Sequence, residues 1–341
     1  MADFNINHIT GKQGQQGTVL AGVTTVSSTG AMSIPSGPTS NRGGRGRGII
    51  GGGAGVTMNY ITIATTGNAL DFGDLVDIYA QISAAASSTR GVFSGGSGPT
   101  APTGGTRISY TTISSKGGSS NFGDLRSKKT CQAPMSDGVR GLFAGGYGAP
   151  AATRDIDMVT IASTGGSTDW GDLTFITVGT SGGCASPTRG LVFGGDPGAN
   201  LLNTIDYITI ATQGEGGKNF GDLSYITKRT PAASNSTRGI TFGGRTAPGG
   251  TYVNTIEYVT IATTSNSTDF GDLTAVTAES AAMASSTRAI NAGGENGSAS
   301  VNIINYVTIA STGNATDFGD LLVVLGNIPG GCSDVHGGLG E

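Results

Sequence analysis

The stretch Arg238-Gly-Ile-Thr-Phe-Gly-Gly244, followed by Tyr258-Val-Thr-Ile261 and Thr268-Asp-Phe-Gly-Asp-Leu273, decides the fold, because each of its three parts recurs six times along the chain. The Arg-Gly-apolar-Gly-Gly part begins at Arg47, Arg90, Arg140, Arg189, Arg238 and Arg288. The second part begins at Tyr60, Tyr110, Met158, Tyr207, Tyr258 and Tyr306. The aromatic residue of the third part is Phe72, Phe122, Trp170, Phe220, Phe270 or Phe318. A fixed internal period of this kind is typical of repeat architectures.

The spacing within each repeat is tight where a folded unit requires it. The Tyr or Met anchor precedes the aromatic residue by 12 residues in five copies and by 13 in the fourth. Successive aromatic residues are 48 to 50 positions apart. By contrast, the gap between Gly-Gly and the next Tyr or Met anchor varies from 7 to 14 residues. This gap is therefore predicted to be a variable surface loop.

Each repeat contains four candidate strands. They are a small-residue segment such as Ala84-Ala-Ala-Ser-Ser88, the Arg-Gly-apolar segment, the β-branched run after the Tyr anchor, and the aromatic-Gly-Asp-Leu segment. A four-stranded sheet repeated around an axis is a propeller blade. The small-residue strand fits the innermost position, where the blades crowd together. The sequence therefore predicts an all-β, six-bladed β-propeller over residues 41–341.

The anchors resemble a known repeat family. Apolar-Gly-Gly, a Tyr, and an aromatic residue about 12 positions later resemble the kelch motif in all six copies, over residues 44–341. The chain differs from kelch in having Phe where kelch usually has Trp, with Trp170 as the exception, and in placing Arg directly before the second strand. The resemblance implies a kelch-like β-propeller.

A second resemblance rests on short stretches of similar sequence. The repeated Thr-Asp-Phe-Gly-Asp-Leu, the opening Met1-Ala-Asp-Phe-Asn-Ile-Asn7 and the stretch Ser28-Thr-Gly-Ala-Met-Ser-Ile-Pro35 resemble virion proteins of marine, cyanobacterial tailed phages. This resemblance implies a structural role in the virion, as a decoration, neck or tail-fibre element, with other virion proteins as partners. It also implies synthesis in a host cytoplasm, and no signal peptide is visible at the start of the chain.

Both ends of the chain extend the pattern. The position 18 residues after Phe318 is His336, where other copies have Arg, so residues 331–336 are predicted to form the innermost strand of blade one. Residues 1–40 lie outside the repeats and are predicted to be an N-terminal extended arm. The strand-forming stretch Gly17–Val26 is expected to pair with another chain or with the side of the propeller, which makes the arm an assembly segment.

Composition and charge exclude several classes of protein. The net charge of −4 is too small and of the wrong sign to favour nucleic acid or an anionic membrane as a partner. The three cysteines, Cys131, Cys184 and Cys332, are odd in number and scattered, so they cannot make a disulfide framework and are interpreted as small buried residues. No cofactor is predicted, and the oligomeric state is left open.

Residues that recur in every blade are interpreted first as structural, because an active site needs residues unlike their counterparts. This applies to the six Arg anchors and to Asp74, Asp124, Asp172, Asp222, Asp272 and Asp320. The carboxylates could serve as glycosidase pairs or calcium ligands, and the Arg ring could bind phosphate or nucleic acid, together with Arg42 and Arg45. Turn hydrogen bonds, and ion pairs between these Arg and Asp residues, are the favoured alternatives.

Catalytic and metal sites lack essential parts in the sequence. The two histidines, His8 and His336, each lie near a terminus, so a Ser or Cys nucleophile has no evident base. Cys332 and His336 are two potential ligands where a zinc site needs three or four. The chain is therefore predicted not to be an enzyme, with no catalytic, cofactor-binding or metal-binding residue.

Binding is assigned to the variable loops between second and third strands, which topology brings to one face. These loops span Ser97–Arg107, Tyr147–Arg154, Asp196–Asn203, Arg245–Asn254 and Glu295–Asn302. The candidate binding residues are Tyr147, Arg154, Arg245 and Tyr252, because they have no counterpart in other blades. The leading hypothesis is a non-enzymatic virion protein. The alternative is a lectin-like propeller that binds a host-surface glycan or receptor, and a hydrolase or lyase is the third.

Overall fold

The computed structural model describes residues 46–339 except 54, 100–103, 149–150, 178–181, 198–200 and 247–249, together with three short strands near the N-terminus. Six sheets of four or five strands follow one another along the chain. Their innermost strands contact one another in a closed circle, from the first blade to the sixth and back to the first. The fold is therefore an all-β, six-bladed propeller, as predicted.

The strands of each blade, from the axis outward, follow the predicted anchors. Blade 1 contains Pro329–Ser333, Arg47–Gly52, Gly55–Thr62 and Leu70–Tyr79; blade 2 contains Ser83–Ala86, Arg90–Ser94, Gly105–Thr112 and Ser120–Lys129. Blade 3 contains Ala133–Ser136, Arg140–Ala144, Ala151–Thr160 and Thr168–Thr177, with the short strand Tyr147–Gly148 beside the third.

Blades 4 to 6 have shorter outermost strands. Blade 4 contains Gly182–Ala185, Arg189–Gly195, Leu202–Thr209 and Lys218–Asp222. Blade 5 contains Ala232–Ser234, Arg238–Thr246, Thr251–Thr260 and Thr268–Asp272, with Thr227–Lys228 added to the second strand. Blade 6 contains Ala281–Ala284, Arg288–Ala292, Ile303–Thr308 and Thr316–Asp320.

Two further elements lie at the ends of the chain. The helix Gly337–Leu339 is a single 3-10 turn. Near the N-terminus, Thr18–Leu20, Thr24–Val26 and Met32–Ser33 pair with one another in an antiparallel sheet. The strand-forming stretch predicted at Gly17–Val26 thus includes a hairpin of its own, and the rest of the predicted arm lies outside the described residues.

The ring is closed by the C-terminal strand. Pro329–Ser333 pairs antiparallel with Arg47–Gly52, with Cys332 opposite Ile49. The strand begins and ends earlier than the predicted span 331–336, because Asp334 turns back to accept a hydrogen bond from the Arg47 backbone N–H at 2.8 Å. The first and last parts of the propeller therefore share one sheet, and Arg47–Gly52 is paired on both sides.

Glycine follows the recurrent Arg because the neighbouring blade fills that space. A Cβ atom on Gly91 would lie 2.9 Å from Sγ of Cys332, and one on Gly239 would lie 3.0 Å from Sγ of Cys184. In the sixth copy, Ala289 packs in one cluster with the smaller Ala233. Close approach of adjacent blades therefore explains the Arg-Gly pair, and it buries the cysteines as small core residues.

A second interlock explains the aromatic-Gly-Asp motif. The turn between third and fourth strands of blade 2 donates backbone hydrogen bonds to blade 1, from Gly117 to the Phe72 carbonyl and from Ser119 to the Asp74 carbonyl, each at 2.8 Å. A Cβ atom on Gly73 would lie 2.5 Å from the Gly117 backbone. Phe72 itself is buried and meets Tyr60 edge-to-face, with ring centroids 6.0 Å apart.

Candidate functional site

The variable loops and the linkers between blades lie on one face of the ring, which we call the loop face. Antiparallel strands alternate in direction, so loops between second and third strands share a face with the linkers that enter the next innermost strand. Bridges between the two pin them together: Ala80 pairs with Ser97, Thr130 with Tyr147, and Ala278 with Glu295. The loop face is therefore held by backbone hydrogen bonds around the axis.

Two of the predicted binding residues, Tyr147 and Arg154, lie on blade 3. Tyr147 exposes 37% of its surface, and its backbone pairs with Thr130 and Ala152. The Arg154 guanidinium lies 3.6 Å from the carboxylate of Asp172, and both side chains are more than half exposed. Screening by water makes such a pair weak, so Arg154 is available to a partner.

The other two, Arg245 and Tyr252, face each other across two strands of blade 5. The Arg245 guanidinium lies 4.9 Å from the ring centroid of Tyr252. Arg245 also donates to Glu279 at 3.4 Å, and the Tyr252 hydroxyl donates to Glu295 at 3.3 Å. Arg229 ion-pairs with the same Glu279. We call these five residues, Arg229, Arg245, Tyr252, Glu279 and Glu295, the Arg245 cluster.

The structure places a ring of unusual backbone conformations at the mouth of the axis, which sequence reasoning missed. The linker residues Gln81, Cys131, Arg229, Glu279 and Asn327 have φ angles between 56° and 61°, a region that non-glycine residues seldom adopt. Several are joined to the next by backbone hydrogen bonds: Gln81 N–H donates to the Asn327 carbonyl and Cys131 N–H to the Gln81 carbonyl, both at 2.9 Å, and Glu279 N–H donates to the Arg229 carbonyl at 3.1 Å. The conformation recurs in these five described linkers, and the side chain differs in each of them.

The axis itself offers little space. The innermost strands enclose two cavities of about 60 and 40 Å³, lined mainly by Gly, Ala, Ser and Pro. His336 and the helix Gly337–Leu339 close the end opposite the loop face. The His336 Nε2–H donates to the Ala86 carbonyl at 2.7 Å, and Nδ1 accepts from Gly338 N–H at 3.1 Å. Burial lowers the pKa of His336, so its neutral form holds this plug.

The recurrent Arg residues lock neighbouring blades together, but not by the ion pairs that were expected. Arg90 lies 4.7 Å from the ring centroid of Tyr110 in its own blade. Its guanidinium donates to the Ile161 and Ala162 carbonyls of blade 3, at 3.2 and 2.7 Å. The same donation from one blade to the next is made by Arg47, Arg189, Arg238 and Arg288.

Arg140 departs from this pattern because its blade has different anchors. Met158 replaces the Tyr, and the Nε1–H of Trp170 donates to the Ile210 carbonyl of blade 4 at 3.2 Å. Arg140 ion-pairs instead with Asp137 at 2.8 Å, in its own turn. The tryptophan thus takes the place of the arginine at this junction.

This contrast gives a matched test. Arg90→Ala should lower the free energy of unfolding by about 2 kcal/mol, because it removes two charge-assisted hydrogen bonds to blade 3 and a cation–π contact with Tyr110 of its own blade. Arg140→Ala should cost less than half as much, since its pair is local. Urea unfolding of both variants measures the difference, and equal losses would contradict the assignment.

The recurrent Asp residues act mainly through their backbones. Five of the six side chains are exposed and that of Asp222 is half-buried. No recurrent Asp ion-pairs with a recurrent Arg in the part of the chain that the structure describes. Their carbonyls accept from the next blade, as Asp124 does from Ser167 N–H at 2.8 Å. Charged side chains on an outermost strand also oppose edge-to-edge association.

A buried polar residue precedes the Tyr or Met anchor in every blade and was not predicted. The six positions are Asn59, Ser109, Asp157, Asp206, Glu257 and Asn305, all at most 4% exposed. Four of them accept a backbone or hydroxyl hydrogen bond from a residue in, or two positions after, the outermost strand of the preceding blade: Leu322 to Asn59, Thr174 to Asp206, Ser224 to Glu257, and Thr274 to Asn305. A polar residue at one fixed position before the anchor is the signal that would have revealed them.

Asp206 gives a pH-dependent prediction. Burial raises the pKa of its carboxyl group, with hydrogen bonds from Thr174 acting in the opposite direction. A raised folded-state pKa means that the ionised form weakens the fold, and the penalty fades as pH falls through that pKa towards the ordinary value of about 4. Asp206→Asn should therefore raise the melting temperature at pH 7, with the gain disappearing near pH 4. Asn305→Asp, the reverse exchange, should lower it at pH 7.

Nucleophile and metal chemistry finds little support among the described residues. Burial raises the pKa of Cys184 and of Cys332 to about 12, so both stay protonated at neutral pH. Among the described residues there is no group of three His, Cys, Asp or Glu that could hold a metal ion. In that same part of the chain, no helix is long and apolar enough to cross a membrane.

Comparison with known proteins adds no assignment. No protein-family model matches the chain, and no curated protein matches it.

Proposed function

We propose that this protein is a non-enzymatic interaction scaffold and a structural component of a tailed-phage particle. A propeller scaffold fits a non-enzymatic interaction role. The phage assignment rests on the short stretches of similar sequence near the N-terminus and in the repeats. Residues 1–40 are the segment through which we expect attachment to other virion proteins, in a decoration, neck or tail-fibre position.

The proposal rests on the position of the residues that differ from blade to blade. Outside the loop face, five of the six blades use the same recurrent Arg for the same contact with the next blade, and in blade 3 Trp170 makes that contact instead. On the loop face, blade 5 carries the Arg245 cluster, and blade 3 carries Tyr147 and Arg154. Tyr and Arg are enriched where proteins bind one another. A mixed-charge protein surface is therefore the partner that suits this face best.

Two measurements test the proposal. Mass spectrometry of purified particles should detect the chain as a stoichiometric component. The Arg245→Ala and Tyr252→Ala variants should each weaken binding to the virion protein that contacts the loop face. The amount of that protein in particles assembled with either variant should fall at least about tenfold. Arg140→Ala is the matched control, since it removes an arginine from the opposite face. Equal effects of Arg140→Ala and Arg245→Ala, or absence of the chain from particles, would refute the proposal.

The glycan- or receptor-binding alternative is favoured by one observation. Tyr147 is exposed beside Gly148, and an exposed aromatic ring next to a glycine offers a flat surface to a sugar. Binding of the full chain to a glycan array, lost in Tyr147→Ala and retained in Tyr252→Ala, would support this alternative over assembly.

A further inference from the structure

One junction between blades contains a fully buried lysine. Lys129 ends the outermost strand of blade 2 and is 0% exposed. Its Nζ lies 2.6 Å from Oδ2 of Asp157, which is also 0% exposed, and 2.7 Å from Oδ2 of Asp155. The equivalent residues of the other blades are uncharged: Tyr79, Thr177, Thr227, Thr277 and Leu325. The cluster is therefore specific to the junction of blades 2 and 3.

The other oxygen of Asp157 is held by separate donors. Arg126 Nε–H and the Ser167 hydroxyl both donate to Oδ1, each at 2.9 Å. Oδ1 thus receives two hydrogen bonds while Oδ2 faces the lysine. This division of the two oxygens matches what acyl transfer needs, with one oxygen stabilised as charge develops and the other placed to leave.

From this geometry we propose that Lys129 and Asp157 form an intramolecular amide bond, with Asp155 as the proton carrier. Asp155 takes a proton from the Lys129 ammonium group and delivers it to Oδ2 of Asp157, which leaves a neutral amine beside a neutral acid. The amine attacks Cγ of Asp157, the C–N bond forms, and the C=O electron pair moves to Oδ1, where Arg126 and Ser167 stabilise it. The intermediate collapses as Oδ2 leaves as water with a second proton from the nitrogen, and no other reactant is required.

Burial and preorganisation favour this reaction. An ammonium and a carboxylate without water lose their solvation, so the neutral amine and acid are less disfavoured than at a surface. The reacting groups are held in contact by two packed blades, which removes most of the entropic cost of bringing them together. The product would tie the outermost strand of blade 2 covalently to the third strand of blade 3.

Intact-mass spectrometry of the purified full chain under denaturing conditions tests the proposal. The wild-type mass is expected to be lower than the sequence mass by one water molecule, and a protease digest should contain a branched peptide that joins Lys129 to Asp157. Lys129→Arg and Asp155→Asn should each have their full sequence mass. Asp155→Asn keeps both reacting groups, so loss of the bond in this variant, with circular dichroism showing a folded ring, assigns the proton transfer to Asp155.

Two results would overturn the proposal. One is a folded wild-type chain with its full sequence mass, which would leave the cluster as an ion pair. The other is a dehydrated mass without a branched peptide, which would place the lost water in a succinimide elsewhere.

Discussion

Removal of residues 329–341 is expected to lower the free energy of unfolding by at least about 4 kcal/mol and to abolish a single cooperative transition. The deletion leaves the backbone groups of Arg47–Gly52 that face Pro329–Ser333 unpaired and opens the ring of innermost strands. It also removes Ser333, whose hydroxyl donates to the Ala284 carbonyl of blade 6 at 2.6 Å. Thermal and urea unfolding of the truncated chain measure the loss.

Two matched truncations separate the contributions. Removing only residues 334–341 keeps the closing strand and deletes the His336 plug, so we expect a smaller loss. Removing residues 1–40 should leave the melting temperature of the ring nearly unchanged, because these residues lie outside the sequence repeats. A ring that melts normally without 329–341 would show that closure by this strand is not what stabilises it.

Gly123→Ala is expected to cost about 3 kcal/mol, because overpacking a close backbone contact cannot be relieved by a side-chain movement. A Cβ atom there would overlap the Gly165 carbonyl of blade 3. The hydrogen bond from Gly165 N–H to the Phe122 carbonyl, now 2.8 Å, would have to lengthen.

The control comes from the other side of the same contact. A Cβ atom on Gly165 would meet nothing within 4 Å, so Gly165→Ala should be close to neutral. Chemical denaturation of both variants tests the pair. Similar losses for the two substitutions would mean that blade-to-blade approach does not explain the aromatic-Gly-Asp motif.

The anchors predicted the blades because each anchor is imposed by local packing. Arg-Gly marks where the neighbouring blade intrudes, and aromatic-Gly-Asp marks where the next turn docks. Both leave a constant spacing in the sequence, so blade number and strand order followed from it. The register of the closing strand was displaced from its predicted position because Asp334 is fixed by the Arg47 backbone.

Partners that are backbone atoms could not be predicted from residue types. Ion pairs were predicted between the recurrent Arg and Asp residues because their charges are opposite. In the structure, Arg90 donates to backbone carbonyls of the next blade, and Asp124 accepts through its own carbonyl. A main-chain acceptor has no side-chain signature in the sequence. The spacing therefore identified the recurrent residues but not the backbone atoms that they contact.

The candidate site was predicted only in part. The variation in loop length located the loop face, and Arg245 and Tyr252 proved to be in contact. Glu279 and Arg229 were not predicted, because they lie on linkers between blades that contain no recurrent motif. Their left-handed backbone conformation is adopted by residues of different types, so it could not be predicted from the sequence.

Hydroxyl-radical footprinting of the chain, free and in assembled particles, tests the central claim that the loop face is the interaction surface. Assembly should protect Tyr147 and Tyr252 on the loop face. Val139 and Leu70, which are 59% and 53% exposed on the opposite face, should stay as reactive as in the free chain. Protection of Val139 and Leu70 with unchanged reactivity of both tyrosines would contradict the claim.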